Sequence, residues 1–390
     1  MTEGNGVAKD LPFTHRLRLT PIQAKRLKIW GFWLAVTLLL VGVILLTGIT
    51  LADPKTYPYQ HLAQNPFISR TNIDPENYWQ ADILLPLAAY LAHVNTPLLF
   101  SIFCLVIILA GYVMFAAIAY RKFGPGIALL FTALLAMNPL TTVLLSWLGT
   151  PDGLTFALSV PFLGASSVPL LFLLAALGVA NHVMFIIPVM EMLVLRWVSE
   201  AKIRWTHLAA ALAGAGVGFG AVQAFLFFNH IQVMSRLGYI FTKSLAAWVA
   251  NNTEHFSLTL FSLYNIQWLL VLLCMVMFFR KDWRYYACLL VFLLLNYGVV
   301  FFTYDTTRIY ALLSWGIFMH CLFHSYQLSL RADPQQGTDR PVQKRFFRAL
   351  AIVGCLSVVA PRFYSWVGAI TWVGVIPNSS LAQSVLHLFR

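Results

Sequence analysis

Asp305 and Arg308 stand three residues apart between two long apolar runs, in Phe301-Phe302-Thr303-Tyr304-Asp305-Thr306-Thr307-Arg308-Ile309-Tyr310. Charges at the edge of a hydrocarbon layer are costly to keep, and their default reading is functional. Other polar residues fall at similar breaks. Asp152 lies in Leu148-Gly149-Thr150-Pro151-Asp152-Gly153, His182 follows Asn181, and Arg362 and Tyr364 lie in Pro361-Arg362-Phe363-Tyr364. The segment 52–95 adds Asp53, Asp74, Glu76 and Asp82 among Tyr57, Tyr59, Tyr78 and Trp79. A carboxylate can take a proton from a hydroxyl. An arginine can grip a phosphate through parallel N–H bonds. The set suits a substrate that offers a hydroxyl to deprotonate and a phosphate to hold.

Each residue also has a structural reading. Asp305 and Arg308 can close a helix-end ion pair on their own. Asp152 can cap a helix behind Pro151. His182 can be a packing residue, and Arg362 can snorkel to a surface. Glu191, in Met190-Glu191-Met192, reads as a buried structural acid. Most acids of a solvated loop do no chemistry, so Asp53, Asp74 and Asp82 compete for one role.

The elements that would position these residues are apolar helices. Charged residues make up 10% of the 390-residue chain and hydrophobic ones 59%, against roughly 25% charged in soluble domains. Apolar runs lie near 30–51, 96–120, 126–147, 206–228, 257–279, 284–303, 309–330 and 349–373. Each is about long enough to cross a ~30 Å hydrocarbon core. The stretch 150–197 reads as three short helices (150–164, 168–180, 182–197) or as a re-entrant piece and one helix. The expected fold is an all-α polytopic transmembrane bundle of nine or eleven spans. It comprises a cytoplasmic segment 1–29, a membrane domain 30–377 and a tail 378–390. In the segment 229–256, Val233, Leu237, Ile240, Phe241, Leu245 and Trp248 recur at helical spacing, with Arg236 and Lys243 on one flank. That pattern predicts one amphipathic interfacial helix meeting lipid phosphates.

With the N-terminus in the cytoplasm, 19 of the 26 Lys and Arg residues fall inside, while the 14 acids divide almost evenly. This satisfies the positive-inside rule. The net charge of +12 is then topogenic, and nucleic acid is not an expected partner. The first apolar run is too long for a cleavable signal. Asp152, His182, Asp305, Arg308, Arg362 and Tyr364 map to outer ends of spans, and Asp53, Asp74 and Asp82 to the outer loop 52–95, with Asp53 and Asp82 close to a span end. The cysteines Cys104, Cys274, Cys288, Cys321 and Cys355 show neither metal-ligand spacing nor a disulfide framework.

Four segments, 52–95, Leu148 to Glu191, Tyr304 to Trp315 and Pro361 to Gly368, together resemble the C-type glycosyltransferases, GT-C. The likeness covers about a third of the chain. It implies transfer of a sugar from a polyprenyl-phosphate carrier on the outer leaflet to a glycan, lipid or protein acceptor. The family's first-loop acid often follows the first span, which points to Asp53. The segment Asp82-x-x-x-Pro86-x-x-x-Tyr90 looks like a recurring bacterial element and points to Asp82. By this resemblance the acid of the first loop, Asp53, Asp82 or Asp74, is the general base, with Asp152 orienting sugar hydroxyls or assisting. Arg308 and Arg362 would hold the donor phosphate, Arg236 and Lys243 would help at the lipid surface, and Asp305, Tyr364 and His182 would complete the pocket. No Asp-x-Asp pair is present; Asp74-Pro75-Glu76 is the nearest sequence. No cofactor and no metal ligand are expected, with a divalent cation left as an alternative. The expected location is a bacterial inner or plasma membrane rather than the endoplasmic reticulum. Rival readings are a transporter or flippase for a lipid-linked glycan, and a non-catalytic subunit of an envelope-polysaccharide system.

Overall fold

The computed structural model describes residues 21–49, 51–53, 56–70, 77–202, 204–331, 341–366 and 369–372. Asp74 and Glu76, residues 1–20 of the segment 1–29, half of the segment 331–348 and the tail 378–390 lie outside the described residues. Among the described residues the fold is all-α apart from one hairpin. In chain order the helices are α1 (Pro21–Thr47), α2 (Tyr57–Gln64), α3 (Leu84–Leu91), α4 (Pro97–Phe123), α5 (Pro125–Ala136) and α6 (Pro139–Ser146). Then come α7 (Asp152–Ser159), α8 (Val168–Asn181), α9 (Ile186–Glu200), α10 (Trp205–Phe228), α11 (Arg236–Phe241) and α12 (Leu245–Thr253). The last are α13 (Phe256–Ser262), α14 (Trp268–Phe278), α15 (Trp283–Val300), α16 (Thr306–Arg331) and α17 (Pro341–Val359). The antiparallel strands β1 (Phe363–Trp366) and β2 (Ala369–Trp372) follow.

Turn chemistry sets several boundaries. The Thr96 hydroxyl accepts from the Leu99 amide at 3.3 Å, and Pro97 opens α4. Gly124, at φ 79°, ends α4, and Pro125 starts α5. A positive φ is cheap for glycine, and proline suits a first helical position.

Among the described residues, α1, α4, α10 and α15 are long and apolar enough to cross a bilayer. Counting each sharply bent pair as one span raises the number to six, fewer than the nine or eleven expected. Two runs expected to be continuous are broken. The run 126–147 bends by 57° between α5 and α6, and the run 257–279 bends by 81° between α13 and the helical stretch Asn265–Phe278. Asn138 caps α6 through its side-chain oxygen, and Asn265 adopts a left-handed φ of 50°. The two breaks bond to each other. Asn138 Nδ2 donates to Gln267 Oε1 at 2.8 Å, and Gln267 Nε2 donates to the Leu134 carbonyl at 2.7 Å. Backbone groups freed at a bend inside an apolar bundle need such partners.

The stretch 150–197 adopts the three-helix alternative, as α7, α8 and α9. Gly214 and Gly218, four residues apart on α10, lie against α8. A Cβ at Gly214 would sit 2.2 Å from the Phe172 carbonyl oxygen, and one at Gly218 would sit 2.2 Å from that of Ala176. Small residues at this spacing let two helix backbones touch. α16, which contains the run expected as one more apolar span, is a central helix buried along most of its length. The last apolar run stops being helical at Val359, before Pro361, and continues as the hairpin. The expected single interfacial helix is two short ones, because Ser244 caps a new helix after Thr242.

Candidate functional site

Asp82 follows a 3-10 turn, Asn77–Ala81, and its amide bonds to the Trp79 carbonyl at 3.1 Å. Asn77 ties this turn to the segment before α11: its Nδ2 donates to the Gln232 carbonyl at 2.7 Å, and its Oδ1 accepts from the Met234 amide at 3.0 Å. Ser235 caps α11 by accepting from the Gly238 amide at 2.9 Å, which makes Arg236 the first helical residue. Arg236 Nη2 then reaches both Asp82 oxygens, at 2.8 and 2.7 Å. The Tyr59 hydroxyl donates to Asp82 Oδ2 at 3.1 Å, and the guanidinium lies 5.1 Å from the Tyr78 ring centroid. Asp82 is 1% exposed. Burial, then the Asp82 charge, pushes the Tyr59 hydroxyl well above its usual pKa. Burial opposes charge on Arg236, but the Asp82 carboxylate with Tyr59 and Tyr78 outweighs it and raises the Arg236 pKa.

A second group gathers at the start of α16. Arg308 Nε lies 2.6 Å from Asp152 Oδ2, and Arg308 Nη1 lies 3.1 Å from Asp305 Oδ2. Asp305 Oδ1 accepts from the Tyr364 hydroxyl at 2.8 Å. The guanidinium lies 4.8 Å from the Trp147 ring centroid. The helix-end pair of Asp305 and Arg308 therefore exists, as one arm of a larger network. Asp152 is not a cap; it is the first residue of α7, behind Pro151. Its Oδ1 is buried and has no hydrogen-bond partner among the described residues. Asn181 holds the start of α7 by donating to the Pro151 carbonyl at 2.8 Å and to Thr155 Oγ1 at 3.0 Å. His182 and Asp152 line one small cavity of about 10 Å³ with Thr155, Met184 and Ile309. Burial lowers the His182 pKa to about 4, even though Asp82 and Asp152 act to raise it.

Asp82 and Arg236 also stand on the wall of a cavity of about 1010 Å³. Tyr78, Ser235 and Gln223 add polar atoms there, and Val179, Phe219, Val222, Leu294 and Phe302 supply apolar wall. This is a charged pair at one part of a largely hydrocarbon-lined space, suited to a ligand with an anionic head and an apolar body.

The expected residues thus divide. Asp82 and Arg236 form one pair; Asp152, Asp305, Arg308 and Tyr364 form one network; His182 adjoins Asp152. The two groups influence each other's charge, since Asp82, Arg236, Asp152 and Arg308 all act on both Tyr59 and His182. Arg236 is bonded to Asp82, a partner that the sequence reading does not assign to it. Lys243 is exposed, 5.7 Å from the Tyr304 ring centroid, and does not line the cavity. Asp53 is 8% exposed, and its backbone carbonyl accepts from Thr56 and Gln60. Arg362 joins neither group; it bonds to Thr47 and Met137. Glu191 is the buried acid expected, and Asn296 Nδ2 donates to its Oε2 at 3.0 Å. Sequence reading misses Gln223, Trp147 and the apolar cavity wall. The one signal it offers is Gln223, an amide inside an otherwise apolar helix. Among the described residues no three His, Cys, Asp or Glu side chains converge to hold a metal. Comparisons with protein-family models, with curated proteins and with solved structures returned no match.

Proposed function

We propose that this chain is a membrane glycosyltransferase of the GT-C type, taking a sugar from a polyprenyl-phosphate carrier on the non-cytoplasmic face. The observation that carries the reading is the Asp82–Arg236 pair on the wall of the large apolar cavity. A polyprenyl chain would occupy the hydrocarbon-lined space and bring its phosphate to Arg236. Arg236 would exchange one carboxylate contact for the phosphate, leaving Asp82 able to accept the proton of an acceptor hydroxyl. As the sugar–phosphate bond breaks, negative charge grows on the leaving phosphate, where a fixed cation lowers the barrier most. Asp152, oriented by Arg308, would use its unpartnered Oδ1 to accept a hydrogen bond from a sugar hydroxyl. The charge asymmetry of the sequence supports the outward-facing site, and the short α7, α8 and α9 would be partial passes within the bilayer.

The test is release of free polyprenyl phosphate by the purified protein in proteoliposomes, with a panel of undecaprenyl-phosphate hexoses and pentoses plus membrane extract as acceptor. Asp82→Asn keeps size but cannot take the proton, and loss of a general base costs about 10²–10⁴ in rate. Turnover should fall by that factor while donor binding persists. If the wild-type protein binds these donors and moves them across the bilayer without releasing polyprenyl phosphate, the transporter reading replaces this one.

A further inference from the structure

Arg362 is 8% exposed. Its Nη1 donates to Thr47 Oγ1 at 3.1 Å and its Nη2 to the Met137 sulfur at 3.3 Å. A guanidinium has five N–H donors, and a thioether is a weak acceptor. No carboxylate lies within ion-pair reach of Arg362 among the described residues. Two other arginines of low exposure differ. Arg308 has two carboxylates, and Arg196 has two backbone carbonyls and a distant Glu200. The elements that meet at Arg362 hold no acid to offer: α1, α5, α6, α17, β1 and β2 contain neither Asp nor Glu. Taking a cation out of water without a counter-ion is costly, and none of the described residues supplies the counter-charge.

The surroundings identify the class of anion. Arg362 sits where α17 has ended and β1 begins, beside the last residue of α1. The apolar side chains nearby in these elements face outward: Leu45 is 76% exposed, Val359 71%, Val358 45% and Trp366 44%. A cation behind an apolar rim at a helix end matches a lipid whose phosphate turns inward while its chains lie along the helices. An arginine fork suits phosphate oxygens in particular.

We propose that Arg362 anchors a second anion site, separate from the cavity at Arg236, which takes the phosphate head group of a bilayer phospholipid. The site is independent of sugar transfer and stands or falls without it. Its test is native mass spectrometry of the full chain, delipidated in non-ionic detergent and titrated with dioctanoyl phosphatidylglycerol. Dioctanoylglycerol, which has the same chains without phosphate, and inorganic phosphate are the comparison ligands. The phospholipid should bind, dioctanoylglycerol should not, and inorganic phosphate should not displace it. Losing a charge-assisted contact weakens binding by about tenfold or more, which is the loss expected in Arg362→Gln. Arg362→Lys keeps the charge without the fork and should bind with intermediate affinity, which preserves the test if Arg362→Gln does not fold. Equal affinity in wild type, Arg362→Gln and Arg362→Lys would overturn the site. Displacement by inorganic phosphate would overturn the lipid. Loss of binding in Arg236→Gln, with binding kept in Arg362→Gln, would assign the lipid to the cavity and overturn the second site.

Discussion

The two ends of α16 carry buried polar networks of different kinds. At its start, Arg308 is shared between Asp152 and Asp305, with Tyr364 on the far oxygen of Asp305. Toward its end, the Tyr285 hydroxyl meets His320 Nδ1 at 2.8 Å, His324 Nε2 meets Asp282 Oδ2 at 2.9 Å, and the Tyr286 hydroxyl meets Ser325 Oγ at 2.8 Å. In the second network each of these groups has a partner. The first crowds two carboxylates on one cation and leaves Asp152 Oδ1 without a bond. Buried polar groups in folded proteins are nearly always satisfied, so an unsatisfied one needs an explanation. The difference separates a fully bonded network from one that keeps a free carboxylate oxygen, the atom to which the proposed function gives a sugar hydroxyl.

The comparison breaks most easily at Arg308. The Arg308 side chain is 13% exposed, and those of Asp152 and Asp305 are 1% and 17%. Removing one partner of a buried ion pair costs about 3–5 kcal/mol, because the other charge stays behind. Arg308→Met should therefore cause the largest fall in thermal stability in detergent of the changes at either end of α16. Adding Asp152→Leu should return part of that loss, since it removes the stranded carboxylate. A loss below about 1 kcal/mol would put Arg308 in the class of surface pairs and end the contrast. Arg308→Lys should fall between, because one ammonium lacks the fork that meets both acids.

His182 gives a smaller and pH-dependent effect. Its folded pKa is about 4, against 6.5 when unperturbed, with burial as the main cause. Between these values the unfolded chain binds more protons than the folded one, so stability rises with pH. The contribution is complete above 6.5 and is lost as pH falls toward 4. A tenfold difference in proton affinity between the two states is worth about 1.4 kcal/mol. The thermal midpoint should drop between pH 6.5 and pH 5, and His182→Gln should flatten that drop. An unchanged slope in the variant would show that His182 is solvated and does not share the enclosed space beside Asp152.

The sequence carries local facts well and distant ones poorly. Apolar runs mark α1, α4, α10 and α15 because each helix meets its surroundings through its own composition. The three short helices of 150–197 are among the alternatives it offers because Pro151, Gly164 and Asn181 punctuate the run. The bends at Asn138 and Asn265 escape it, since one asparagine barely changes the hydropathy of a twenty-residue window. Asn138-Pro139 is a cap-and-proline signal that the apolar average conceals. Candidate residues are visible by type, but their partners are not. Asp82 and Arg236 are 154 positions apart, and Asp152 and Arg308 are 156 apart. No local pattern links such pairs; helix packing brings them together. Sequence alone therefore sends Arg236 to lipid without its Asp82 partner and groups Arg362 with Arg308, whose bonding partners differ in the structure.

The smallest effect is expected at the far end of α16, and it tests the structural half of the contrast. Tyr286→Phe removes the hydroxyl that meets Ser325 and leaves the ring in place. Ser325 Oγ also donates to the Cys321 carbonyl at 2.7 Å, so the change strands no buried donor. The cost should be that of one ordinary hydrogen bond, about 1 kcal/mol, well below the loss in Arg308→Met. Under the proposed function, release of polyprenyl phosphate should stay within about twofold of wild type, since about 0.4 kcal/mol of barrier is a factor of two. Thermal denaturation and the release assay on the same preparation check both values. A tenfold fall in release with unchanged stability would show that the satisfied network also serves turnover. The division between packing groups and ligand-ready groups would then not follow the two ends of this helix.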